Sequence, residues 1–365
     1  MIIPMAQMMR VLVILITVFF GFYSSAHADV PAERLSVMER GINFTNWFRF
    51  PVSRDDRFLA NYISDQELDS LHQVGFTFVR LAVQPDVLAG RTGLLVDTIK
   101  RIQRHGFGVM VGWHKHDWKL ESSPTDAKAL LDLWQRTAPA LRGLDPKLTF
   151  PEIVNEPVFS DPARWGALQQ EALGRIRAAL PDATVVLTGP DWSSIKGLKS
   201  LSPVADRNVV YTIHIYEPQV LTTVGAFEPS LDHRALARLP FPTSSPQDCA
   251  RAQAAAADTR TREVAKWYCS EHWDAEKVRQ AVRRAGEWAR RNEVHLVAGE
   301  FGASNRLDRA TRLAWITAMR TAMEREGIGW ALWGYDDSLG FALRPHPGAR
   351  LDPDLLAALG LHAQR

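Results

Sequence analysis

LTFPEIVNEPVFSDPARWGALQQEALGRIRAALPDATVVLTGP, residues 148–190, decides the fold. Leu148–Pro157 is a near-continuous apolar run, and Ala183–Pro190 is a second one rich in Val and Thr. Between them Asp161-Pro162 opens a helical stretch to about Leu180, with proline where a helix tolerates it, in the first turn. Strand, helix and strand in this span make one βαβ unit, whose two strands lie parallel. Apolar runs without polar alternation suit strands that helices cover on both faces.

The same alternation extends in both directions. Strand-type runs precede the unit at Arg40–Phe48, Phe76–Val83 and Gly108–His114, and follow it at Asn208–Tyr216, Val294–Gly302 and Ile328–Asp336. Helical patterns fall between them. Ser64-Asp65-Gln66-Glu67 is a capping sequence ahead of Leu68, Leu71 and Val74. Asp126–Ala138 carries an apolar side with Pro139 as its expected stop, and Glu276–Arg291 and Asp308–Arg325 read as helices too. The segment after Pro190 is a weaker helical pattern. Eight strand–helix repeats predict a single α/β domain closed as a (β/α)₈ barrel. No glycine-rich phosphate loop follows the first strand, which argues against a dinucleotide fold.

Glu217 to Trp273 interrupts the pattern after the sixth strand. A structureless loop of that length is improbable in a compact domain, so it is expected to be an ordered insertion over the barrel mouth, shaping one side of a cleft. It carries both cysteines, Cys249 and Cys269. The chain also begins with a secretory pattern: Arg10, the apolar run Val11–Phe22, then Ala26-His27-Ala28. That run is too short to span a bilayer, so residues 1–28 are expected to be a cleaved signal and 29–365 the catalytic domain, with no stable membrane insertion. Export to an oxidising compartment favours a Cys249–Cys269 disulfide over two buried thiols. The 365 residues carry a net charge of only +2, with 23% charged and 46% hydrophobic, which gives no footprint for nucleic acid.

In such barrels active sites form at the C-terminal strand ends. Here those ends supply Asn43, Trp47, Arg80, His114, Asn155, Glu156, Trp192, His214, Tyr216, Glu300 and Trp333. Glu156 and Glu300 end strands four and seven and would face each other. Cleaving a glycosidic acetal with retention needs two carboxyls about 5–5.5 Å apart, one acid/base and one nucleophile. Their surroundings must push the two pKa values apart, and Arg80 is the candidate cation that keeps Glu300 ionised.

At these residues the chain resembles glycoside hydrolase family 5, the cellulase-type family. The resemblance is carried in order by Arg40-Gly41-Ile42-Asn43-Phe44, Val79-Arg80-Leu81, Ile153-Val154-Asn155-Glu156-Pro157, His214-Ile215-Tyr216, Ala298-Gly299-Glu300-Phe301-Gly302 and Trp330-Ala331-Leu332-Trp333. It implies Glu156 as acid/base, Glu300 as nucleophile and Asn155 on the sugar 2-hydroxyl. It further implies Tyr216 and Arg80 holding Glu300, His214 and His114 lining the subsite, and Trp333 as a flat sugar platform. One position departs: Gly112-Trp113 precede His114, where the family commonly has an aspartate two residues before the histidine. Among the remaining tryptophans, Trp47 and Trp192 are expected to touch sugar. The implied activity is a retaining endo-acting β-1,4-glucanase on a polysaccharide or oligosaccharide, needing no cofactor or metal, with mannan or other β-glucan hydrolysis or transglycosylation as the alternative. Two readings of other classes stand beside it. One is a glycan-binding barrel without catalysis. The other is a metal-dependent hydrolase built on His114 and His116, with His214 and Asp336 recruited.

Overall fold

Eight strands form the barrel: β1 (Arg40–Phe48), β2 (Phe78–Val83), β3 (Gly108–Trp113), β4 (Thr149–Glu152), β5 (Val185–Thr188), β6 (Val209–Ile215), β7 (His295–Phe301) and β8 (Gly329–Leu332). They pair in chain order and β1 closes on β8, every pair parallel. This computed structural model describes residues 29–345 and 349–362; the expected leader, residues 1–28, lies outside them. Among the described residues no helix is long and apolar enough to cross a membrane.

The strands are buried because both faces are covered. Outward-facing Ile42, Val79, Val109, Ile153 and Leu187 join the helices in the main core. Inside the barrel a separate apolar cluster fills the N-terminal end, built from Phe78, Met110, Phe150, Val186, Val210, Val297 and Ala331. Val30 and Met38, which flank the short helix Ala32–Val37, complete that cluster and close the end away from the strand C-termini.

Local sequence explains most boundaries. Ser64 and Glu67 form the expected capping box. Asp161, Asp274 and Asp308 each cap the helix that follows by accepting from its first backbone N–H groups. Two expectations need correction. Pro139 does not stop its helix, which runs from Pro124 to Leu141. A proline so near the C-terminus removes one intrahelical bond, and burial of Ala138 and Leu141 holds the last turn. The fourth strand also ends early, at Glu152 rather than Pro157, because the chain leaves the ladder and turns left-handed at Glu156 (φ 45°).

The insertion is ordered. It folds as the helices Gln219–Thr222, His233–Leu236, Pro246–Ala255 and Thr259–Ser270. Cys249 and Cys269 join the last two by a disulfide with Cα atoms 6.0 Å apart, within the usual range. The insertion docks beside β7: Ser304 N–H donates to Thr222, Asp308 N–H to Ala237 and Trp315 Nε1–H to Glu217. A groove of about 1520 Å³ separates it from the start of the helix Arg309–Arg325. Neither Glu156 nor Glu300 lines that groove, and no side chain hydrogen-bonded to them comes from the insertion.

Candidate active site

β2 delivers Arg80 to the barrel axis, where it is fully buried. A guanidinium has five N–H donors, and each finds an oxygen here. Nε and Nη2 reach the two oxygens of Glu152 at 2.7 and 2.8 Å. Nη1 donates to Asn43 Oδ1 (3.0 Å) and Glu300 Oε1 (2.7 Å), and Nη2 also to Asn155 Oδ1 (2.9 Å). Burial alone would weaken its hold on its proton, but the charges of Glu152 and Glu300 more than offset that. Glu152 is a site residue that the motif reading passed over. Its signal is present all the same: a carboxylate within an apolar run is costly without a cation, and Arg80 is the buried cation that faces it.

Glu300 ends β7. Its Oε1 takes Arg80 and its Oε2 accepts from the Tyr216 hydroxyl at 2.9 Å. Burial and the charge of Glu300 push the Tyr216 phenol well above its ordinary pKa, so it stays a donor. His214 stands between the two glutamates. Its Nδ1–H donates to Glu156 Oε1 at 2.8 Å, and Nδ1 lies 3.5 Å from Glu300 Oε2. Single atoms of Glu156, His214 and Glu300 all fall within 4.8 Å of one another. Burial pushes the Glu156 carboxyl up, yet the hydrogen bond and charge of His214, then Arg80 and Arg49, bring it below its ordinary value.

The backbone holding Glu156 is unusual. Glu156, Asp191, Trp192 and Ser193 all have positive φ (45°, 64°, 60° and 55°) and none is glycine. Each such residue costs on the order of 1–3 kcal/mol and persists only where its surroundings fix it. They do so here: Trp192 N–H donates to Pro157, His214 N–H to Ser193, and Asn155 N–H to Trp113. The turn leaves Trp192 57% exposed at the end of β5. Asn155 has its carbonyl oxygen on Arg80, which leaves its amide N–H groups free.

His114 is buried with both ring nitrogens unpartnered. Burial, then Arg80 and Arg49, hold its pKa well below the ordinary value, so the ring is neutral and offers one donor and one acceptor. It stacks on Trp333 at 5.9 Å. Trp333 itself is only 6% exposed, with the Arg49 guanidinium 5.1 Å from its ring centre. Trp47 corrects the sequence expectation. It is fully buried, packed on Phe44, Phe48 and Tyr62, and its Nε1–H is spent on Leu59, so no sugar reaches it. The register of β1 shifts between Phe44 and Phe48, and past that irregularity Trp47 lies in the main core. Trp113 is likewise core, edge-on to Trp134.

The His114–His116 pair is split. His116 Nε2 faces Arg49, and Asp336 is engaged by Thr45, Asn46 and Tyr62. Among the described residues the one cluster able to hold an ion is Glu156, His214 and Glu300, the carboxylate pair itself. Two carboxylates this close, one bound by Arg80 and Tyr216 and the other by His214, have the arrangement an acid/base and a nucleophile would need. A separation of about 6.5–9.5 Å would be needed to seat a water for inversion.

The chain matches the family described as cellulase (glycosyl hydrolase family 5) over residues 37–338. It is 25% identical to endoglucanase 3 of Fibrobacter succinogenes over 83% of its length, and spans about half of that relative (50%). It is 22% identical to endoglucanase C of Acetivibrio thermocellus, covering 81% of this chain and 90% of that one. Among solved structures, Thermotoga maritima Cel5A in complex with cellobiose superposes with a TM-score of 0.73 at 23% identity, covering 91% of this chain and 99% of the other. The ordered motifs, the closed barrel and the match over residues 37–338 agree: this chain belongs to glycosyl hydrolase family 5.

Proposed function

We propose that the protein is an exported, retaining endo-β-1,4-glucanase in which Glu300 is the nucleophile and Glu156 the acid/base. The observation that carries the reading is the carboxylate pair, with atoms within 4.8 Å and opposite supports. The endoglucanase relatives support a glucan substrate, and membership of the cellulase family supports the β-1,4 linkage. In the first step Glu300, held by Arg80 and Tyr216, attacks the anomeric carbon while Glu156 gives its proton to the departing oxygen. While Glu300 carries charge it favours a proton on Glu156. Once Glu300 is esterified that influence is gone, and Glu156 becomes the base that draws a proton from water.

The free amide of Asn155 donates to the sugar 2-hydroxyl, and neutral His114 exchanges hydrogen bonds with a neighbouring hydroxyl, filling its two empty positions. Trp192 offers an exposed ring for the leaving-group side. Trp333 lines the subsite through its edge rather than as an open platform, given how little of it is exposed. Residues 1–28 serve as the export signal, and 29–365 as the catalytic domain.

The test is reducing-sugar release from carboxymethyl cellulose, mixed-linkage β-glucan, β-1,3-glucan, glucomannan and xyloglucan, with the anomer of the first product read by NMR. Release of β-anomer from a β-1,4-glucan, abolished by Glu300→Gln and indifferent to chelator, is the expected result. α-Anomer as first product, or activity that survives Glu300→Gln, overturns the mechanism. Tight glycan binding without turnover would make the barrel a binding protein.

A further inference from the structure

Arg49 follows the last residue of β1 and is half-buried beside the proposed catalytic pair. Three neighbours favour the Glu156 carboxylate: His214, Arg80 and Arg49. His214 touches Glu156 itself, and Arg80 is saturated by Glu152 and Glu300. Arg49 makes no ion pair among the described residues. Its Nε and Nη2 both point at one neutral acceptor, His116 Nε2 (3.2 and 2.5 Å); burial, then the Arg49 charge, lowers the pKa of that ring. Its charge is therefore uncompensated at contact range.

The guanidinium is also held firmly. It lies 4.6 Å from the Phe50 ring centre and 5.1 Å from that of Trp333. Two aromatic rings and a histidine fix its plane, which reduces the ordering cost of binding something to it. Two of the five N–H groups are used on His116, leaving Nη1 and the outer Nη2 hydrogen as an open fork, and Nη1 is not among the buried unpartnered atoms. Such a fork matches a carboxylate in two parallel charge-assisted hydrogen bonds, stronger than those it makes to neutral hydroxyls.

We propose that Arg49 recognises a carboxylate on the glycan near the scissile bond, so that the enzyme acts preferentially on β-1,4-glucan chains bearing acidic groups or acidic sugar units. This rests on the glucanase reading of the same cleft. The structural alternative is that Arg49 only positions Trp333 and His116, and the two predict different results.

The experiment compares kcat/KM on anionic carboxymethyl cellulose and neutral hydroxyethyl cellulose for the purified protein and for Arg49→Gln, across a sodium chloride series. The expected loss in Arg49→Gln is about tenfold larger on the anionic polymer, the size of one charge-assisted contact. The preference of the unsubstituted protein should fall with salt, and that of the variant should not. Equal losses on both polymers, or no loss on either, overturn the proposal. A second measurement does not depend on turnover: calorimetric binding of cellobiose and of its glucuronosyl-β-1,4-glucose counterpart. The acidic disaccharide should bind more tightly, and Arg49→Gln should erase the difference. Equal binding in the unsubstituted protein also overturns the proposal. A binding difference with no hydrolysis of either polymer would sink the glucanase reading and leave Arg49 as a carboxylate-recognising residue.

Discussion

Two layers of the same barrel, one pleat apart, are built on opposite principles. Phe78, Met110, Phe150, Val210 and Val297 sit in the apolar cluster at the N-terminal end. Two residues further along the same strands stand Arg80, Gly112, Glu152, Thr212 and Gly299. The lower layer is filled by shape, the upper by matched donors and acceptors. Its glycines belong to that match. A Cβ on Gly112 would meet Glu152 Oε2 at 2.4 Å, and one on Gly299 would meet Thr212 Oγ1 at 2.5 Å. The polar groups occupy the space that side chains at 112 and 299 would take. At the strand-three position where the resemblance leads one to expect an aspartate, a glycine makes room for a carboxylate from strand four. An apolar layer loses stability in proportion to the volume removed, whereas a closed polar network fails when any one partner goes.

The sharpest way to break that contrast is Arg80→Met. It leaves Glu152 and Glu300 buried without their cation, at a cost of about 3–5 kcal/mol. Misplacing Glu300 should lower kcat by at least about 10²-fold as well. Denaturant unfolding and kcat on a soluble glucan measure the two effects. Phe150→Ala, two residues before Glu152, opens a cavity instead and should also cost about 3–5 kcal/mol. Activity per folded molecule should stay near that of the unsubstituted protein, because Phe150 makes no polar contact. If Phe150→Ala lowers kcat as Arg80→Met does, the layers are not independent and the comparison fails.

The same contrast explains what could be read in the sequence. Apolar strands and capped helices follow local rules, so the barrel was legible from Leu148–Pro190 outward. Glu156, Glu300 and Tyr216 stood out because polar residues follow or end apolar runs, and Arg80 because it is a charge inside one, the third residue of β2. Trp47 was misread because a tryptophan at a strand end gives no sign of which way it faces; only packing on Phe48 and Tyr62 settles that. Glu152 was missed for the opposite reason: it matters through Arg80, a partner distant in sequence. The left-handed turn at Asp191, Trp192 and Ser193 has no glycine to announce it.

A smaller effect separates the barrel from its insertion. The Cys249–Cys269 disulfide closes a loop with a sequence separation of 20, worth about 3 kcal/mol in the chain-entropy model. Cys249→Ser should lower the unfolding midpoint by a corresponding amount. Glucan turnover below the transition should remain, because the glutamates take no support from the insertion. A collapse of kcat in the folded variant would mean that residues 217–273 shape the catalytic cleft after all.

The smallest expected effect concerns the proton. As the proposed acid, Glu156 must be protonated to act, yet against burial the hydrogen bond of His214 pulls its pKa below the ordinary value. The pH profile of kcat/KM reports free-enzyme groups, so it should fall on its basic side as pH rises through the Glu156 pKa, placing the optimum on the acidic side of neutral. His214→Phe removes the Nδ1–H donation, which favours the Glu156 carboxylate, while keeping similar volume. With burial then prevailing, the basic limb should move to higher pH by roughly one unit, even as the rate falls from looser placement of Glu156. A limb that moves to lower pH would mean that His214 favours the protonated acid instead. A limb that stays put would assign it to another group, and would remove the argument that the two carboxylates are set apart by unequal support.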